Sequence, residues 1–390
     1  MERRELDYIF KPRSIAFIGA SNNPFKWGNW ILSNAIAAGY RGRVYPINPR
    51  EKKILGIDAY PSVLKVPDEI DLAVITVPAR IVPTVIEECV EKGVKGGIII
   101  TAGFGESGEE GKRLEQKVLR IARSGGMRLV GPNCMGVWNA ENRLNVSYYN
   151  APTPGPIAFV SQSGFFGTYL MIIASSRGSG FSKFVSSGNQ LDLCETDYIE
   201  YLADDPHTKV ITLYLEGVKG GRRFLGVVEE AVKKKPVVVF KAGRTEKGTR
   251  AILSHTGSIA GSDEIFNAVC KQVGLIRVFN AYDIFVTAET LGKCPPLRGN
   301  RIAIVTNGGG AGVLATDAIE RGGMKMAKLE QHTIEKLRNM LPPAASPHNP
   351  VDILGDAPVE RYENAIKITA SDPNADALIV ITIMQSPALN

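Results

Sequence analysis

The sequence predicts an α/β protein with three successive regions, each built on a parallel sheet. Short apolar runs alternate with amphipathic helical stretches along the whole chain. This alternation is typical of buried parallel strands that helices cover on both faces. Clusters of Pro and Gly interrupt it at residues 152–156 and 294–299. We therefore expect three domains, over residues 1–150, 151–296 and 297–390.

The first region is predicted to be a doubly wound, Rossmann-like domain. Helical patterns at residues 81–92 and 112–124 separate its strands. The predicted strands are residues 14–18, 44–47, 72–77, 97–101 and 128–130.

The second and third regions are predicted to be flavodoxin-like, doubly wound domains. In the second, a helix at 281–291 closes a series whose predicted strands are residues 157–160, 182–185, 210–215 and 237–240. The third begins with a strand at residue 301, continues through a helix at 333–340 and reaches a strand at 377–383. Because so few strands leave a sheet edge uncovered, we expect the third domain to be incomplete and the chain to be a fragment of a longer protein.

The composition is that of a soluble globular protein, with 44% hydrophobic residues, 22% charged residues and a formal net charge of +6. The basic residues are scattered, which suits an anionic small ligand and argues against nucleic-acid binding. No apolar run reaches the roughly 18 residues of a membrane span, and the N-terminus lacks a signal-peptide core. The five cysteines stand isolated, without the spacing of a metal or redox motif. We expect a cytoplasmic protein with no membrane segment and no metal site of its own.

A strand followed by a turn of small residues and then a helix occurs three times, at residues 16–28, 158–164 and 303–312. Small residues at a helix start expose backbone N–H groups, and the helix dipole adds a favourable field for an anion. Each turn is therefore a candidate phosphate site. The alternative is that a tight turn needs small residues for packing alone.

The first turn favours coenzyme A over NAD. A G-x-G-x-x-G fingerprint would require further glycines in this turn, and an acidic residue should end the second strand to bind the ribose. That strand instead leads into Arg50, Lys52 and Lys53, so a more phosphorylated nucleotide fits better. A solvated basic loop is the alternative. Loops at the same sheet edge would complete a cleft. The candidate CoA-binding residues are Gly19, Ala20, Ser21, Asn48, Lys53, Val77, Pro78, Thr101, Asn133 and Cys134.

Residues 241–263 are rich in glycine and serine and contain one histidine, His255. Such a composition predicts a loop with little packing and a backbone that can approach a ligand closely. A lone histidine is more often a surface or core residue than a nucleophile. The catalytic interpretation of His255 therefore depends on the rest of the chain.

The motifs together resemble the NDP-forming acyl-CoA synthetase family, which includes succinyl-CoA synthetase. The resemblance covers essentially the whole chain and is to the α-type chains, or to the N-terminal part of fused forms. The motifs that carry it, in order, are GAS, TAGFGE, GPNCMG, SQSG, SSGN, LYLEG, SHTGSIAGSD, NGGGAG and NPVD.

The resemblance implies that His255 carries a phosphoryl group during turnover and that Glu216 supports it. A carboxylate can hold one imidazole N–H while the other nitrogen attacks, which is consistent with these roles. The resemblance also implies that two helix starts bind the phosphate. The corresponding residues are Ser161, Gln162, Ser163, Gly164, Gly308, Gly309 and Gly310.

The expected activity is that of an ADP-forming acyl-CoA synthetase, acting on a small carboxylic acid or its acyl-CoA. No region resembles the ATP-grasp module that binds ADP or ATP with Mg²⁺ in such enzymes. We expect that module in a partner β subunit or in a fused C-terminal domain, and we expect an oligomer. The alternatives are a non-catalytic CoA-binding regulatory module and a NAD-dependent dehydrogenase. The sequence does not determine which acyl group is used, or whether the nucleotide is ADP or GDP.

Overall fold

The structure is a computed structural model that describes residues 4–256 and 261–385, with the side chains of residues 253–256 also outside the description. The chain divides into two compact units, Met1–Cys294 and Pro295–Asn390. The division falls at the predicted Pro- and Gly-containing break. The first unit contains two large sheets and the second contains one.

The first sheet has five parallel strands in the order β2-β1-β5-β6-β7. Its central strands are buried along their whole length, because helices cover both faces. The Rossmann-like prediction is confirmed. The elements are α1 (Asp7–Phe10), β1 (Ser14–Ile18), α2 (Trp27–Ala37), β2 (Arg43–Ile47), β3 (Lys53–Ile54), β4 (Ile57–Asp58), β5 (Leu72–Ile75), α3 (Val82–Glu91), β6 (Gly96–Ile99), α4 (Glu109–Ser124) and β7 (Arg128–Val130), with 3₁₀ turns at Val63–Lys65, Ala79–Ile81 and Gly105–Ser107.

The second sheet has seven strands in the order β14-β13-β12-β10-β11-β8-β9. Five strands are parallel, and the hairpin β8–β9 joins β11 in the antiparallel direction. The elements are β8 (Gly136–Asn139), β9 (Leu144–Ser147), β10 (Pro154–Ser161), α5 (Gly164–Ser176), β11 (Phe181–Ser186), α6 (Glu195–Ala203), β12 (Val210–Leu215), α7 (Gly221–Lys234), β13 (Val237–Lys241), α8 (Glu246–Thr256), α9 (Asp263–Val273), β14 (Ile276–Val278) and α10 (Asp283–Lys293).

Strands β8 and β9 were not predicted from the sequence. The prediction of a break, or linker, at residues 152–156 was wrong for Pro154 and Pro156, which lie in β10. A proline at the start of a strand has no N–H group to donate, but its carbonyl can still accept a hydrogen bond. The carbonyl of Pro156 indeed accepts a 2.8 Å hydrogen bond from the backbone N–H of Lys209.

The prediction of a loop around His255 was also wrong in part, because the backbone of Glu246–Thr256 forms α8. An ion pair between Glu246 and Arg250, one helical turn apart, stabilises its first turns. The next helix, α9, has Ser262 as its N-cap, and the side chain of Ser262 accepts a 3.3 Å hydrogen bond from the backbone N–H of Ile265. The side chain of His255 lies outside the described residues.

The second unit has a parallel sheet of four strands arranged around β15. Asn349, in the NPVD motif, holds this sheet together. Its amide donates 2.9 Å hydrogen bonds to the carbonyls of Ile302 and Ala327 and accepts one of 2.9 Å from Ile304 N–H. The elements are β15 (Arg301–Thr306), α11 (Gly309–Arg321), β16 (Lys325–Met326), α12 (Gln331–Met340), β17 (Val351–Asp352), α13 (Val359–Ala370) and β18 (Ala377–Ile381).

Within residues 4–256 and 261–385, no helix has both the length and the apolar character needed to cross a membrane.

A buried ion pair lies within the first unit. The ammonium of Lys183, on β11, is 2.8 Å from the carboxylate of Asp205, and both side chains are 1% exposed. Thr208 donates a further hydrogen bond of 2.6 Å to the same carboxylate oxygen. Each of these buried charges is stabilised by the other, because the loss of one would leave the other buried without a partner of opposite charge.

We expect Lys183→Met to lower the free energy of unfolding by roughly 3–5 kcal/mol, since it leaves the Asp205 charge buried and unpaired. The matched control is Lys234→Met, which removes the exposed Lys234–Asp204 pair and should cost about 1 kcal/mol or less. Urea unfolding followed by circular dichroism measures both. Equal losses for the two variants would contradict the interpretation.

Candidate active site

A cleft of about 540 Å³ lies in the first unit at the carboxyl ends of strands from both of its sheets. Parallel strands end at one edge, so the loops that follow them meet there. The lining residues follow β5, β6, β7, β10, β11 and β12, with Trp27 added from the start of α2. They are Trp27, Thr76, Val77, Pro78, Ile100, Thr101, Ala102, Asn133, Cys134, Met135, Gln162, Ser163, Gly164, Phe165, Gly188, Asn189 and Glu216.

Three loops on the first-sheet side are tied together by hydrogen bonds. The hydroxyl of Thr101 donates to the carbonyl of Val77 at 2.7 Å, and the backbone N–H of Asn133 donates to the carbonyl of Thr101 at 2.9 Å. Val77, Pro78, Thr101, Asn133 and Cys134, all predicted to contact CoA, line the cleft together. We infer that these loops present one continuous wall.

The loop at residues 131–136 joins this wall to the second sheet. The backbone N–H of Leu191 donates to the carbonyl of Gly131 at 2.9 Å, and that of Met135 donates to the hydroxyl of Ser186 at 2.9 Å. At Gly188, φ is +56° and a Cβ atom would lie 2.2 Å from the carbonyl oxygen of Pro132. The SSGN motif therefore needs its glycine for a close approach between two loops.

The SQSG turn forms the second-sheet side of the cleft. Helix α5 begins at Gly164, with Ser163 as its N-cap, so the first N–H groups of the helix have no acceptor within it. A Cβ at Gly164 would lie 2.4 Å from Cγ of Met135, which explains the glycine. Ser161 is buried, and its hydroxyl donates to the carbonyl of Ser163 at 2.7 Å. Ser161 shapes the turn, whereas Gln162, Ser163 and Gly164 line the cleft.

Glu216 directly follows β12 and is 8% exposed, yet it lines the cleft beside the SQSG turn. A carboxylate at the end of a buried strand is thus adjacent to a helix start. The two groups have opposite electrostatic preferences, since a helix N-terminus favours an anion and a carboxylate favours a cation or a hydrogen-bond donor.

The remaining predicted CoA-binding residues lie together on two neighbouring loops after β1 and β2, outside the lining of the cleft. The side-chain amide of Asn48 donates to the carbonyl of Ala20 at 2.8 Å, and that of Asn22 donates to the carbonyl of Lys53 at 2.8 Å. At Gly28, a Cβ would lie 2.0 Å from the carbonyl oxygen of Gly19. The loops therefore pack closely against the start of α2. They comprise Gly19, Ala20, Ser21, Asn48 and Lys53, and the exposed cations around them are Lys26, Arg50, Lys52 and Lys53.

Cys134 is a buried thiol and not a reactive one. It is 3% exposed, and its Sγ donates to the carbonyl of Ile99 at 3.3 Å. Burial raises the pKa of the Cys134 thiol to about 12, because the thiolate would lose its hydration. Its contribution to the cleft is a small apolar surface.

The third repeated turn lies in the second unit. Helix α11 begins at Gly309, with Gly308 as its N-cap. The hydroxyl of Thr306 accepts from the N–H of Gly308 at 3.0 Å and donates to its carbonyl at 3.1 Å, much as Ser161 bonds within the first unit. Gly308, Gly309 and Gly310 thus form the start of a helix, as predicted.

Several lining residues were not identified from the sequence, among them Trp27, Phe165 and Asn189. Trp27 and Phe165 are 40% and 70% exposed, which is unusual for large aromatic side chains. Each lies at the start of the helix that follows one of the repeated turns. Aromatic residues in that position are a sequence signal that could have identified both.

Comparisons with known proteins identify the family. A CoA binding domain model matches residues 13–140, a succinyl-CoA ligase-like flavodoxin domain model matches 154–291, and a ligase-CoA domain model matches 302–388. The α subunit of acetate–CoA ligase [ADP-forming] II from Pyrococcus furiosus is 48% identical over 379 residues, which are 97% of this chain and 82% of that subunit. The chain belongs to the NDP-forming acyl-CoA synthetase family.

Two further members of the family extend the comparison. Acetate–CoA ligase [ADP-forming] I from Archaeoglobus fulgidus is 44% identical, over 98% of this chain and 55% of that protein. The solved structure of dinucleotide-forming acetyl-coenzyme A synthetase 1 from Ca. Korarchaeum cryptofilum, in complex with phosphate and ADP, superposes with a TM-score of 0.92 at 41% identity. It covers 97% of this chain, which spans 82% of that one. The family resemblance and the α/β fold class inferred from the sequence are confirmed.

We expect Cys134 in the native chain to resist alkylation at pH 8, because a thiol with a pKa of about 12 is only about 10⁻⁴ thiolate there. The exposed Cys294 is the internal control and should react readily. Iodoacetamide labelling followed by peptide mass mapping measures both. If Cys134 is labelled as fast as Cys294 in folded protein, the buried-thiol assignment is wrong.

Proposed function

We propose that this chain is the α-type part of an ADP-forming acyl-CoA synthetase. The complete enzyme would interconvert acyl-CoA, ADP and phosphate with a carboxylic acid, CoA and ATP. The observation that carries the proposal is the cleft in which a helix start, the carboxylate of Glu216 and the predicted CoA-binding loops meet. The names of the relatives described above support the same activity.

Coenzyme A would lie across the two groups of loops on the first-sheet side. Gly19, Ala20, Ser21, Asn48 and Lys53 would hold the phosphorylated nucleotide end, where exposed cations surround a helix start. The pantetheine end would extend along the wall of the cleft, towards the second sheet. The residues assigned to that wall are Val77, Pro78, Thr101, Asn133 and Cys134.

In the first chemical step, an oxygen of inorganic phosphate attacks the thioester carbonyl and the CoA thiolate leaves, which produces an acyl phosphate. The N–H groups at the start of α5, around Ser163 and Gly164, would orient the phosphate and stabilise the charge on it. Backbone N–H groups suit this task, because they donate hydrogen bonds to the anion and neither gain nor lose a proton.

In the second step, an imidazole nitrogen of His255 attacks phosphorus and the carboxylate of the product acid leaves. Glu216 would accept the N–H of the other imidazole nitrogen, which selects the reactive tautomer and stabilises the positive charge that forms. The N–H groups around Ser163 and Gly164 would bind the phosphoryl group in this step as well. The family resemblance implies a phosphate-binding role for Gly308, Gly309 and Gly310 in the second unit.

The phosphoryl group then passes to ADP. We assign that step to an ATP-grasp module, in a β subunit or in a further domain of the same protein, where Mg²⁺ would accompany the nucleotide. An oligomer and a cytoplasmic location are part of the same proposal. We propose the domain limits 1–150, 151–296 and 297–390 for the CoA-binding domain and the two ligase domains.

We expect the chain to become labelled when it is incubated with acetyl-CoA and ³²P-phosphate. The label should be acid-labile and base-stable, as a phosphohistidine is, because a P–N bond to imidazole hydrolyses when the ring is protonated. His255→Asn should abolish it. Filter binding after acid and base treatment provides the measurement.

The matched control is His207→Asn, in the same unit, whose side chain is 53% exposed and should keep wild-type labelling. Label that persists in His255→Asn would contradict the phosphohistidine assignment. A wild-type chain that takes no label would contradict the proposed activity.

We expect CoA to raise the melting temperature of the chain and NAD to leave it unchanged. At a ligand concentration 100 times Kd, binding adds about 2.7 kcal/mol of stability. Lys53→Ala should reduce the shift because it removes an exposed cation from the predicted phosphate site, whereas Lys65→Ala, also at an exposed lysine, should not. Differential scanning fluorimetry measures the shifts. Equal protection by NAD would favour the dehydrogenase alternative.

A further inference from the structure

Gln162 connects the ends of two neighbouring strands at the cleft. It follows β10, and its side chain reaches the turn that follows β12. Its amide oxygen accepts hydrogen bonds from the backbone N–H groups of both Glu216 and Gly217, the latter at 3.0 Å. Its amide nitrogen donates to the carbonyl of Gly217 at 2.8 Å. One side chain therefore binds three backbone groups of the segment that carries the carboxylate.

A second layer of buried polar groups supports Gln162. Its amide nitrogen also donates to the side-chain oxygen of Gln190 at 3.2 Å. Gln190 in turn donates to the carboxylate of Glu195 at 2.8 Å. Glu195 is fully buried and accepts a 2.9 Å hydrogen bond from the backbone N–H of Lys219. The turn after β12 is thus held from both ends, near Glu216 and at Lys219.

Burial raises the pKa of Glu195, since its hydrogen bonds do not fully replace the water that a carboxylate loses. Such a network is rigid when every member is satisfied. A change at Gln162 would therefore reach Glu216 directly and would disturb Gln190 on its other side.

We propose that Gln162 is a positioning residue that holds the carboxylate of Glu216 in place for the histidine, and that it is not a phosphate ligand. The proposal rests on the function proposed above, and it revises the role that the family resemblance suggested for this residue. A primary amide offers two N–H donors and one oxygen acceptor. In Gln162 the amide nitrogen lies within hydrogen-bond distance of Gly217, of Gln190 and, at 3.4 Å, of the carboxylate of Glu195, and the oxygen already accepts twice.

Only an amide fits all of these partners. A glutamate at position 162 keeps the oxygen that accepts from two N–H groups but cannot donate to Gly217 or Gln190. It also adds a negative charge next to the turn that carries Glu216 and next to the buried carboxylate of Glu195, which lies 3.4 Å from the amide nitrogen of Gln162, and a like charge makes ionisation of a carboxyl group less favourable. A methionine keeps the approximate length of the side chain and removes every hydrogen bond. The two substitutions thus separate hydrogen bonding from charge.

The test measures the initial rate of ³²P labelling of the chain from acetyl-CoA and phosphate, as a function of phosphate concentration and of pH. For Gln162→Met we expect the rate at saturating phosphate to fall roughly 10- to 100-fold, because a small displacement of a reacting group has an effect of this order. The phosphate concentration at half-saturation should change less than about twofold, since the direct phosphate donors are elsewhere.

For Gln162→Glu we expect the acid limb of the pH profile to move to higher pH by on the order of one unit. The sign follows because Glu216 must be ionised to hold the histidine, and an added carboxylate near both Glu216 and the buried Glu195 disfavours the ionised form of its neighbours. The controls are Gln272→Met and Gln272→Glu, at an exposed glutamine on α9. Both should behave as wild type.

A large rise in the half-saturating phosphate concentration with an unchanged maximal rate would overturn the proposal and make Gln162 a phosphate ligand. An unshifted pH profile for Gln162→Glu would also overturn it. If Gln162→Met fails to fold, as judged by circular dichroism, the pH profile of Gln162→Glu decides. Absence of label in the wild-type chain would reject the proposed function, whereas normal wild-type labelling with unaffected variants would reject only the role of Gln162.

Discussion

The loop between β7 and β8 determines the geometry of the first unit, because it passes directly from one sheet into the other. Its buried backbone groups need hydrogen-bond partners, and they find them in the loop that follows β11. The carbonyls of Gly131 and Pro132 accept backbone N–H groups from Leu191 and Asn189, each at 2.9 Å. These bonds bring the carboxyl ends of two parallel sheets to the same cleft. The wall of predicted CoA-binding loops and the SQSG turn come from different sheets, and their meeting depends on this contact.

The cleft combines one group that attracts an anionic ligand with another that repels it. The start of α5 attracts negative charge, whereas Glu216 repels it. The proposed transfer of a phosphoryl group to histidine needs both, since the helix N–H groups would bind the phosphate and the carboxylate would stabilise the imidazole. Their separation must then be well controlled, and a neutral amide such as Gln162 can hold the carboxylate turn without adding charge to the site.

Local pattern predicted most of the strands and helices, because buried parallel strands are long apolar runs and their turns have a distinctive composition. The strands β1, β7 and β12 have the predicted bounds. The errors have specific physical causes. The hairpin of β8 and β9 contains only four residues per strand and several asparagines, so its sequence pattern is that of a loop. The two strands form because the hairpin pairs with β11. Helix α8 was not predicted because glycine and serine in this segment favour a loop. The spacing of Glu246 and Arg250, four residues apart as in a helical ion pair, was the signal for a helix.

The sequence alone was sufficient for the α/β class and for the three segments of strand, turn and helix, since each is a local property of composition and spacing. It could not determine which of the candidate residues share a cleft. That depended on long-range hydrogen bonds, such as those from Gln162 to the turn after β12, which join residues 54 and 55 positions apart. It also could not distinguish a glutamine that binds a ligand from one that binds the backbone beside it. Only the tertiary structure decides this, because the partners of a side chain are set by the packing of distant strands.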